Sequence, residues 1–283
     1  MKLINGKRIR DEILNNVKRE VALLEFQPVF CDVLVGEDPV SSQYVEMKAR
    51  SAESVGIKFH KANLSATIST EDLIKEIQVL NKIPNMCGII VQLPLLEHID
   101  KQKVLDQIDP NLDVDCLGTK ASEKFYRGEV GVGFPTALAC MALIDSLQLD
   151  LAGKKIVVLG QGMLVGKPVT ALLQKKGLTP VVVSSKTENK ESIIKEADVI
   201  ISGMGKGKFV TGDMIKEGAV LIDAGTSELN GGPAEDGVKI VGDVDLESVK
   251  SIAGYVSPVP GGVGPVTVAM LLKNVLTVAK NLK

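Results

Sequence analysis

The sequence predicts an α/β protein in which parallel strands alternate with helices. Seven short runs rich in valine and isoleucine are separated by amphipathic stretches and polar loops. Because these runs are apolar throughout rather than alternating, they are typical of strands buried on both faces, as in a parallel sheet. The repeated β–α units therefore indicate a doubly wound architecture.

Three of the predicted strands lie in the first half of the chain and four in the second. They are PVFCDVLVG (28–36), GIKFHKANL (56–64), CGIIVQLPL (87–95), KKIVVLG (154–160), PVVVSS (180–185), DVIISG (198–203) and AVLIDAG (219–225). A helix is predicted over 69–82, where Ser69 and Asp72 form a plausible N-terminal cap. A last helix is predicted over 265–281, after a loop rich in glycine and proline.

The chain is long enough for two domains, and the pattern changes near residues 149–153. A helix is expected to end around Leu147, and the segment LDLAGKK then leads into a new strand. We expect one domain over 1–148, completed by residues 264–283 in a helix that returns to it. A nucleotide-type domain is expected over 149–263.

The composition argues against several classes of protein. The formal net charge is −2, acids and bases are interspersed, and there is no basic block suited to a nucleic acid. The N-terminal segment is charged, and no later run reads as long and apolar enough to cross a bilayer. The four cysteines form no C-x-x-C pair, so we expect reduced thiols and no metal site. We therefore expect a cytoplasmic protein without nucleic-acid or membrane partners.

The segment VVLGQGMLVGKP places Gly160, Gly162 and Gly166 where a predicted strand passes into a helix. The pyrophosphate of a dinucleotide binds at such a turn, against helix N-terminal amides. The spacing is one residue longer than the usual fingerprint, so an ordinary turn is the alternative. Ser185 and Lys186 follow the next strand, where an acid for the ribose diol is usual. The hydroxyl of Ser185 and the cation of Lys186 suit a ribose phosphate and therefore favour NADP over NAD. The alternative is that Lys186 is a solvated lysine in a loop.

Polar residues in the first half form further candidate sites. Tyr44 and Lys48 are four residues apart on a predicted helix, so both project from one face. Gln92 follows a predicted strand, where open α/β sheets bind ligands. Asp113 and Asp115 form an acidic loop that could bind a polar heterocycle edge or Mg²⁺. The structural alternatives are a surface pair for Tyr44 and Lys48, a turn amide for Gln92 and a solvated loop for Asp113 and Asp115.

The segment SPVPGGVGPVTVAML (257–271) combines glycine and proline ahead of an apolar run. Glycine lets backbone approach a ligand and proline fixes its neighbours, so the segment is either a rigid binding loop or a tight interdomain turn. Together with VGEDPVSSQYVEMKARSAESVGI and GIIVQLPL, it resembles the bifunctional methylenetetrahydrofolate dehydrogenase/cyclohydrolase family. The likeness extends over almost the whole chain.

The resemblance implies an N-terminal α/β substrate domain completed by the C-terminal helix, and a Rossmann-type parallel-sheet domain that binds NADP. It also implies a cleft between the domains and a homodimer joined through the NADP domains. The implied chemistry is oxidation of methylenetetrahydrofolate with NADP, followed by hydrolysis of the methenyl product to formyltetrahydrofolate. These reactions belong to one-carbon metabolism and purine biosynthesis.

The resemblance further implies roles for individual residues. Lys48 would be the central catalytic residue, with Tyr44 stacking on the folate, Gln92 adjusting the lysine and Asp115 holding the pterin. A lysine beside the methenyl cation serves as a base only if it can become neutral. The other implied folate contacts are Leu93, Pro260, Gly261, Gly262 and Val263. The implied cofactor contacts are Gly160, Gln161, Gly162, Ser185, Lys186 and Thr226.

The chain departs from the usual family pattern at four places. Leu112 and Cys116 replace the lysine and glycine of K-D-V-D-G, and FPTA (134–137) replaces P-C-T-P. Gln161 replaces the arginine of the cofactor turn, and Ser184 replaces a histidine. NAD use therefore stays open. A single-activity cyclohydrolase, a non-catalytic folate- or nucleotide-binding homologue and a different small-acid dehydrogenase are the alternative functions.

Overall fold

The computed structural model describes residues 1–129, 131–229 and 239–282, and the chain divides into two compact units. Unit 1 comprises residues 1–10 and 136–267, and unit 2 comprises residues 11–135 and 268–283. Each unit is therefore built from two separate stretches of chain. The functional division expected at residues 148 and 149 stays a prediction.

The elements of the first half follow one another as strand–helix units. They are β1 (Lys2–Leu3), α1 (Gly6–Val21), β2 (Val29–Val35), α2 (Pro39–Ser54), β3 (Lys58–Leu64), α3 (Thr70–Leu80), β4 (Met86–Val91), α4 (Lys101–Leu105), α5 (Thr119–Arg127) and α6 (Pro135–Asp145).

The same alternation continues in the second half. The elements are β5 (Ile156–Leu159), α7 (Gly166–Lys175), β6 (Val181–Val183), α8 (Lys190–Lys195), β7 (Val199–Ser202), a 3₁₀ turn (Gly212–Met214), β8 (Val220–Asp223), β9 (Ser227–Leu229), β10 (Lys239–Val241), α9 (Leu246–Val249), β11 (Tyr255–Val256) and α10 (Val263–Asn281).

Unit 2 contains a three-stranded parallel sheet in the order β3-β2-β4. The central strand β2 is buried at all seven residues. After β2 the chain enters α2, whose N-cap Asp38 accepts the Ser41 amide at 2.7 Å and whose first residue is Pro39. Ser69 caps α3 by accepting the Asp72 amide at 3.1 Å, which confirms the predicted cap. The sheet and α2 together position the polar residues described below.

Unit 1 contains a six-stranded sheet in the order β1-β11-β8-β7-β5-β6. Every neighbouring pair in it is parallel. Its core strands β5, β7 and β8 are buried along their whole length. The predicted doubly wound α/β class and the positions of all seven predicted strands are confirmed. The expectation that all seven are apolar and buried was wrong for β3, whose residues are exposed or half-buried because it is an edge strand with Lys58, His60, Lys61 and Asn63. The strands β1, β9, β10 and β11 were not predicted, because two or three residues are too few to show a periodic pattern.

The helix α10 corrects one expectation about membranes. Among the described residues it is the one helix that is long and apolar enough, with 19 residues, to cross a bilayer. The expectation that no run would meet this test was therefore wrong. Sixty-one per cent of its most apolar window is buried. A core helix of a folded domain is apolar on most sides and passes the same test of length and composition.

Candidate active site

Lys48 lies at the centre of a polar cluster in unit 2. Its side chain is 9% exposed, and its Nζ donates to Gln92 Oε1 at 2.7 Å. The same Nζ lies 2.6 Å from Oδ2 of Asp32, a fully buried residue of β2. Helix α2 supplies the lysine, β2 the carboxylate and the residue after β4 the amide. Three elements therefore fix one amino group.

Tyr44 and Gln92 are two further residues near Lys48 that were predicted from the sequence. Tyr44 lies one turn before Lys48 on α2 and is 45% exposed, so its ring is open to a ligand. The Gln92 Nε2 donates to the Leu93 carbonyl at 3.0 Å. This bond turns Oε1 towards the lysine, and the prediction that Gln92 adjusts Lys48 therefore has a geometric basis.

Asp115 is presented by a loop that Asp113 organises. Asp113 is buried, and its carboxylate accepts the amides of Asp115 at 3.2 Å and Gly118 at 2.7 Å. Cys116 has a φ of 59°, so the left-handed conformation is kept where the family usually has glycine. Burial raises the pKa of Asp115 to about 7, Lys48 opposes this shift, and Asp113 and Asp32 add to it. Burial also raises the pKa of Asp113 to about 6.

Asn274 of α10 ties this loop to a second one. Its buried Nδ2 donates to the carbonyls of Val114 at 2.8 Å and Gly133 at 2.7 Å. The loop that carries Asp115 is therefore fixed from the C-terminal helix. The sequence analysis did not single out Asn274, although an amide within the apolar run MLLKNVLTV is a detectable signal.

Asp32 was also missed. It is the single charged residue of the strand VFCDVLV, and a carboxylate in a strand buried on both faces is unusual. Burial raises the pKa of Asp32, and Lys48 and then Lys61 oppose that shift. Apart from the Lys48 amino group, which forms an ion pair with Oδ2, the carboxylate has no hydrogen-bond partner among the described residues.

A pocket in unit 1, about 340 Å³ in volume, follows the carboxyl ends of β5, β6 and β7. Gly160 has a φ of 87°, and its amide donates to the Val183 carbonyl at 2.8 Å. A Cβ at Gly166 would lie 2.1 Å from the Gly160 carbonyl oxygen, so the first turn of α7 packs directly on this turn. The pocket is lined by Leu159, Gly160, Gln161, Gly162, Val183, Ser184, Ser185, Lys190, Ile194, Gly203, Met204, Lys206 and Phe209.

The predicted cofactor residues divide between this pocket and the surface around it. Gly160, Gln161, Gly162 and Ser185 line the pocket. The side chains of Lys186 and Thr226 are exposed and are not among the lining residues.

The charges of the pocket come from two lysines that the sequence analysis did not identify. Lys190 and Lys206 line it, and none of the described lining residues is acidic. The Gln161 Nε2 donates to the Gly160 carbonyl at 2.9 Å and to Thr170 Oγ1 at 3.2 Å, so this amide is held by its own turn and by α7. Among the described residues no group of three or more His, Cys, Asp or Glu side chains could hold a metal ion.

Two buried carboxylates of unit 1 fix the loops around this region. Asp243 accepts Ser202 Oγ and the amides of Met204 and Lys206, all within 2.7 Å. Asp223 accepts three backbone amides, from residues 225, 243 and 244, within 3.0 Å. The lining residues Met204 and Lys206 are therefore held by one carboxylate.

The predicted folate residues 260–263 lie in the same unit. The Gly262 amide donates to the Pro258 carbonyl at 2.7 Å, and Gly261 has a φ of 110°. Ser257 Oγ accepts the Asp223 amide at 2.7 Å, which joins this loop to the buried carboxylates. The loop is therefore a turn held by backbone and serine hydrogen bonds, and its role as a binding loop stays a prediction.

Comparison with known proteins identifies the family. The model for the tetrahydrofolate dehydrogenase/cyclohydrolase catalytic domain matches residues 4–115, and the model for the NAD(P)-binding domain of the same family matches residues 135–283. This protein belongs to the tetrahydrofolate dehydrogenase/cyclohydrolase family. The resemblance that the sequence motifs suggested is confirmed.

Individual members of the family are similar over their full length. The bifunctional protein FolD of Moorella thermoacetica is 42% identical over 98% of both chains. The FolD methylenetetrahydrofolate dehydrogenase/cyclohydrolase structure from Campylobacter jejuni has a TM-score of 0.93 at 36% identity and covers 100% of both chains. The Trypanosoma brucei FolD structure, complexed with NADP cofactor and an inhibitor, has a TM-score of 0.92 at 36% identity. It covers 99% of this chain and 97% of its own.

Proposed function

We propose that this protein oxidises methylenetetrahydrofolate to methenyltetrahydrofolate with NADP and hydrolyses that product to formyltetrahydrofolate. The observation that carries the proposal is the buried Lys48 amino group, held by Gln92 and Asp32 within the electrostatic reach of Asp115. Family membership and the names of the full-length relatives support the same pair of reactions.

The polar residues of unit 2 suit a reduced folate. The exposed ring of Tyr44 provides a face for stacking on the substrate. Asp115 accepts hydrogen bonds from the donor-rich edge of the pterin, and such bonds favour its ionised form. Leu93 and residues 260–263 complete the proposed folate contacts.

Lys48 is the proposed base of the hydrolysis. Water adds its oxygen to the methenyl carbon, and the neutral amine takes a proton from that water. Gln92 Oε1 accepts a hydrogen bond from the amine at 2.7 Å and so directs the nitrogen lone pair without adding a charge. The carbon–nitrogen bond of the adduct then breaks: the hydroxyl loses its proton as the carbonyl forms, the released nitrogen takes up a proton, and the formyl group remains on the other nitrogen.

The pocket of unit 1 fits a phosphorylated dinucleotide. Glycines at the β5–α7 turn leave room for a pyrophosphate, and Ser185 with Lys190 suits a ribose phosphate better than a ribose diol. NADP, when bound, accepts the hydride from the methylene carbon. Gly160, Gln161, Gly162, Ser185, Lys186 and Thr226 remain the proposed contacts, and Lys190 and Lys206 are added to them.

Several further features belong to the same proposal. A cytoplasmic homodimer that supplies one-carbon units to purine biosynthesis is consistent with the bacterial relatives. The folate domain is assigned to residues 1–148 with 264–283, and the NADP domain to residues 149–263.

The test is absorbance-monitored turnover of methylenetetrahydrofolate with NADP and NAD in parallel, for wild type, Lys48→Met and the control Lys75→Met. Lys75 is an exposed lysine on α3. Lys48→Met should lower methenyl hydrolysis by about 10²- to 10⁴-fold, because the base is removed. The control should keep full activity. Methenyl hydrolysis without reduction of either cofactor would instead establish a single-activity cyclohydrolase.

A further inference from the structure

Asp32 is an unexplained carboxylate beside the proposed base. It lies in the middle of β2, is 0% exposed, and has Oδ2 2.6 Å from Lys48 Nζ. Lys61 is the register partner of Asp32 on β3, but its Nζ is paired with the exposed Glu46 at 2.6 Å. Lys48 is therefore the cation that contacts Asp32.

A purely structural ion pair does not account for this arrangement. Burying a carboxylate costs several kcal/mol, and hydrogen bonds to both oxygens normally offset part of that cost. Apart from Lys48, neither oxygen of Asp32 has a hydrogen-bond partner among the described residues. An apolar side chain such as valine would continue the strand without this cost. The carboxylate is therefore better explained by what it does to Lys48.

We propose that Asp32 is a positioning residue that stores the proton which Lys48 must release before it can act as a base. The ammonium of Lys48 passes one proton to Oδ2 of Asp32, which leaves a neutral amine and a neutral carboxylic acid. No charge enters or leaves the buried pair in this step. The amine then takes a proton from the attacking water, as the proposed function requires, and the inference rests on that function.

The proposal has a kinetic signature. The pair holds one shared proton over a wide pH range, so the fraction with a neutral amine is independent of pH. Without the carboxylate, Lys48 must lose its proton to solvent, and the neutral fraction then falls about tenfold per pH unit on the acid side. The same change would not follow from a loss of packing, which lowers the rate equally at every pH.

Other titratable groups face the pair, and their contributions to the pH dependence of the rate must be distinguished from that of the pair. They are Asp115 and Asp113 in the loop after α4, Lys61 on β3 and Cys31 next to Asp32 on β2. Burial raises the pKa of Asp115 to about 7 and Asp32 adds to that shift, so the loss of Asp32 moves the titration of Asp115 to lower pH. More Asp115 is then ionised in the variants at the acid end, which makes the variant-to-wild-type ratio fall as the pH rises. This contribution is opposite in sign to the rise expected from the loss of proton storage.

The experiment is methenyl hydrolysis by wild type, Asp32→Asn and Asp32→Val from about pH 6 to about pH 9, corrected for the uncatalysed reaction. The matched control is Glu46→Gln, which removes an exposed carboxylate from the same helix as Lys48. Both Asp32 variants should give a variant-to-wild-type ratio that rises with pH, by about tenfold per unit at the acid end. Glu46→Gln should give a constant ratio.

A pH-independent ratio in either folded Asp32 variant would overturn the proton-storage role. Asp32→Val is included because valine suits the apolar strand even if asparagine does not fold there. In wild type, ¹³C labelling of aspartate carboxyl groups gives a second measurement: an Asp32 carboxyl that is ionised throughout, with no protonated fraction, also overturns it. Failure of wild type to hydrolyse the methenyl compound refutes the proposed function instead, so the two failures are distinguishable.

Discussion

Both units bury carboxylates in or beside a parallel sheet, and Asp32 of unit 2 differs from the others. In unit 1, Asp223 accepts hydrogen bonds from three backbone amides, and Asp243 accepts them from two amides and a serine hydroxyl. In unit 2, Asp113 likewise accepts the amides of Asp115 and Gly118, whereas Asp32 has Lys48 as its one polar partner among the described residues. A carboxylate that accepts hydrogen bonds from several fixed donors stabilises the loops that carry those donors. A carboxylate whose one polar partner is an amino group can instead exchange a proton with that group.

The largest expected effect is a difference in the free energy of unfolding between variants of these two kinds of carboxylate. Asp243→Ala leaves two amides and a hydroxyl without their acceptor, and should lower the free energy of unfolding by about 3–5 kcal/mol. Asp32→Val combined with Lys48→Met replaces the whole buried ion pair with apolar side chains, leaves no unpaired charge, and should cost at least about 2 kcal/mol less.

Urea denaturation of both variants measures the difference. Glu247→Ala, which removes an exposed carboxylate, is the control and should change the free energy by less than about 0.5 kcal/mol. Equal losses for Asp243→Ala and the double variant Asp32→Val/Lys48→Met would contradict the distinction between structural and reactive carboxylates.

An effect of intermediate size concerns the pH dependence of stability. Burial raises the pKa of Asp113 to about 6, of Asp115 to about 7 and of Asp223 to about 6. The folded protein therefore keeps protons that the unfolded chain loses from about pH 4 upward, so the free energy of unfolding falls as the pH rises towards 7. Asp115→Asn should reduce the difference in unfolding free energy between pH 5 and pH 8 by about 1–2 kcal/mol.

Urea titrations at the two pH values check this sign. Asp72→Asn is the control, because hydrogen bonds from Lys75 and Ser69 lower the pKa of Asp72 and place its contribution at lower pH. A protein that is more stable at pH 8 than at pH 5 would show that the raised carboxylates do not dominate this range.

The smallest effect tests which lysine of unit 1 recognises the cofactor phosphate. Lys190→Ala should raise the KM for NADP by about tenfold, because a charge-assisted hydrogen bond contributes roughly 1.5–3 kcal/mol. The KM for NAD should stay nearly constant. Lys186→Ala is the comparison variant in the same segment, because Lys186 is also a proposed cofactor contact but its exposed side chain lies outside the pocket lining. Parallel kinetics with both cofactors decide between them; a larger effect from Lys186 would reverse the assignment.

The sequence was sufficient for the architecture because long apolar runs and their helices carry a strong pattern. The seven predicted strands and the cap at Ser69 depend on local sequence alone. The edge strand β1 has two residues and forms only because β11 lies beside it. Such a strand is specified by tertiary pairing, which no window of sequence contains.

The site was only partly predictable for a related reason. Lys48, Gln92 and Asp115 belong to recognisable motifs. Asp32 and Lys190 do not, and their roles become visible only from the lysine beside Asp32 and the pocket that Lys190 lines. Asp32 reads as an interruption in an apolar strand until Lys48 is seen 2.6 Å away. Lys190 reads as an ordinary first residue of a short helix.

The Asn274 side chain has a consequence for the order in which the protein is made. It fixes the carbonyls of Val114 and Gly133, yet it is synthesised after all of unit 1. The loop that carries Asp115 is therefore made early in translation but gains this anchor only when the last helix has been made. A chain cut between residues 267 and 274 would contain every residue of unit 1 and still lack the anchor of this loop.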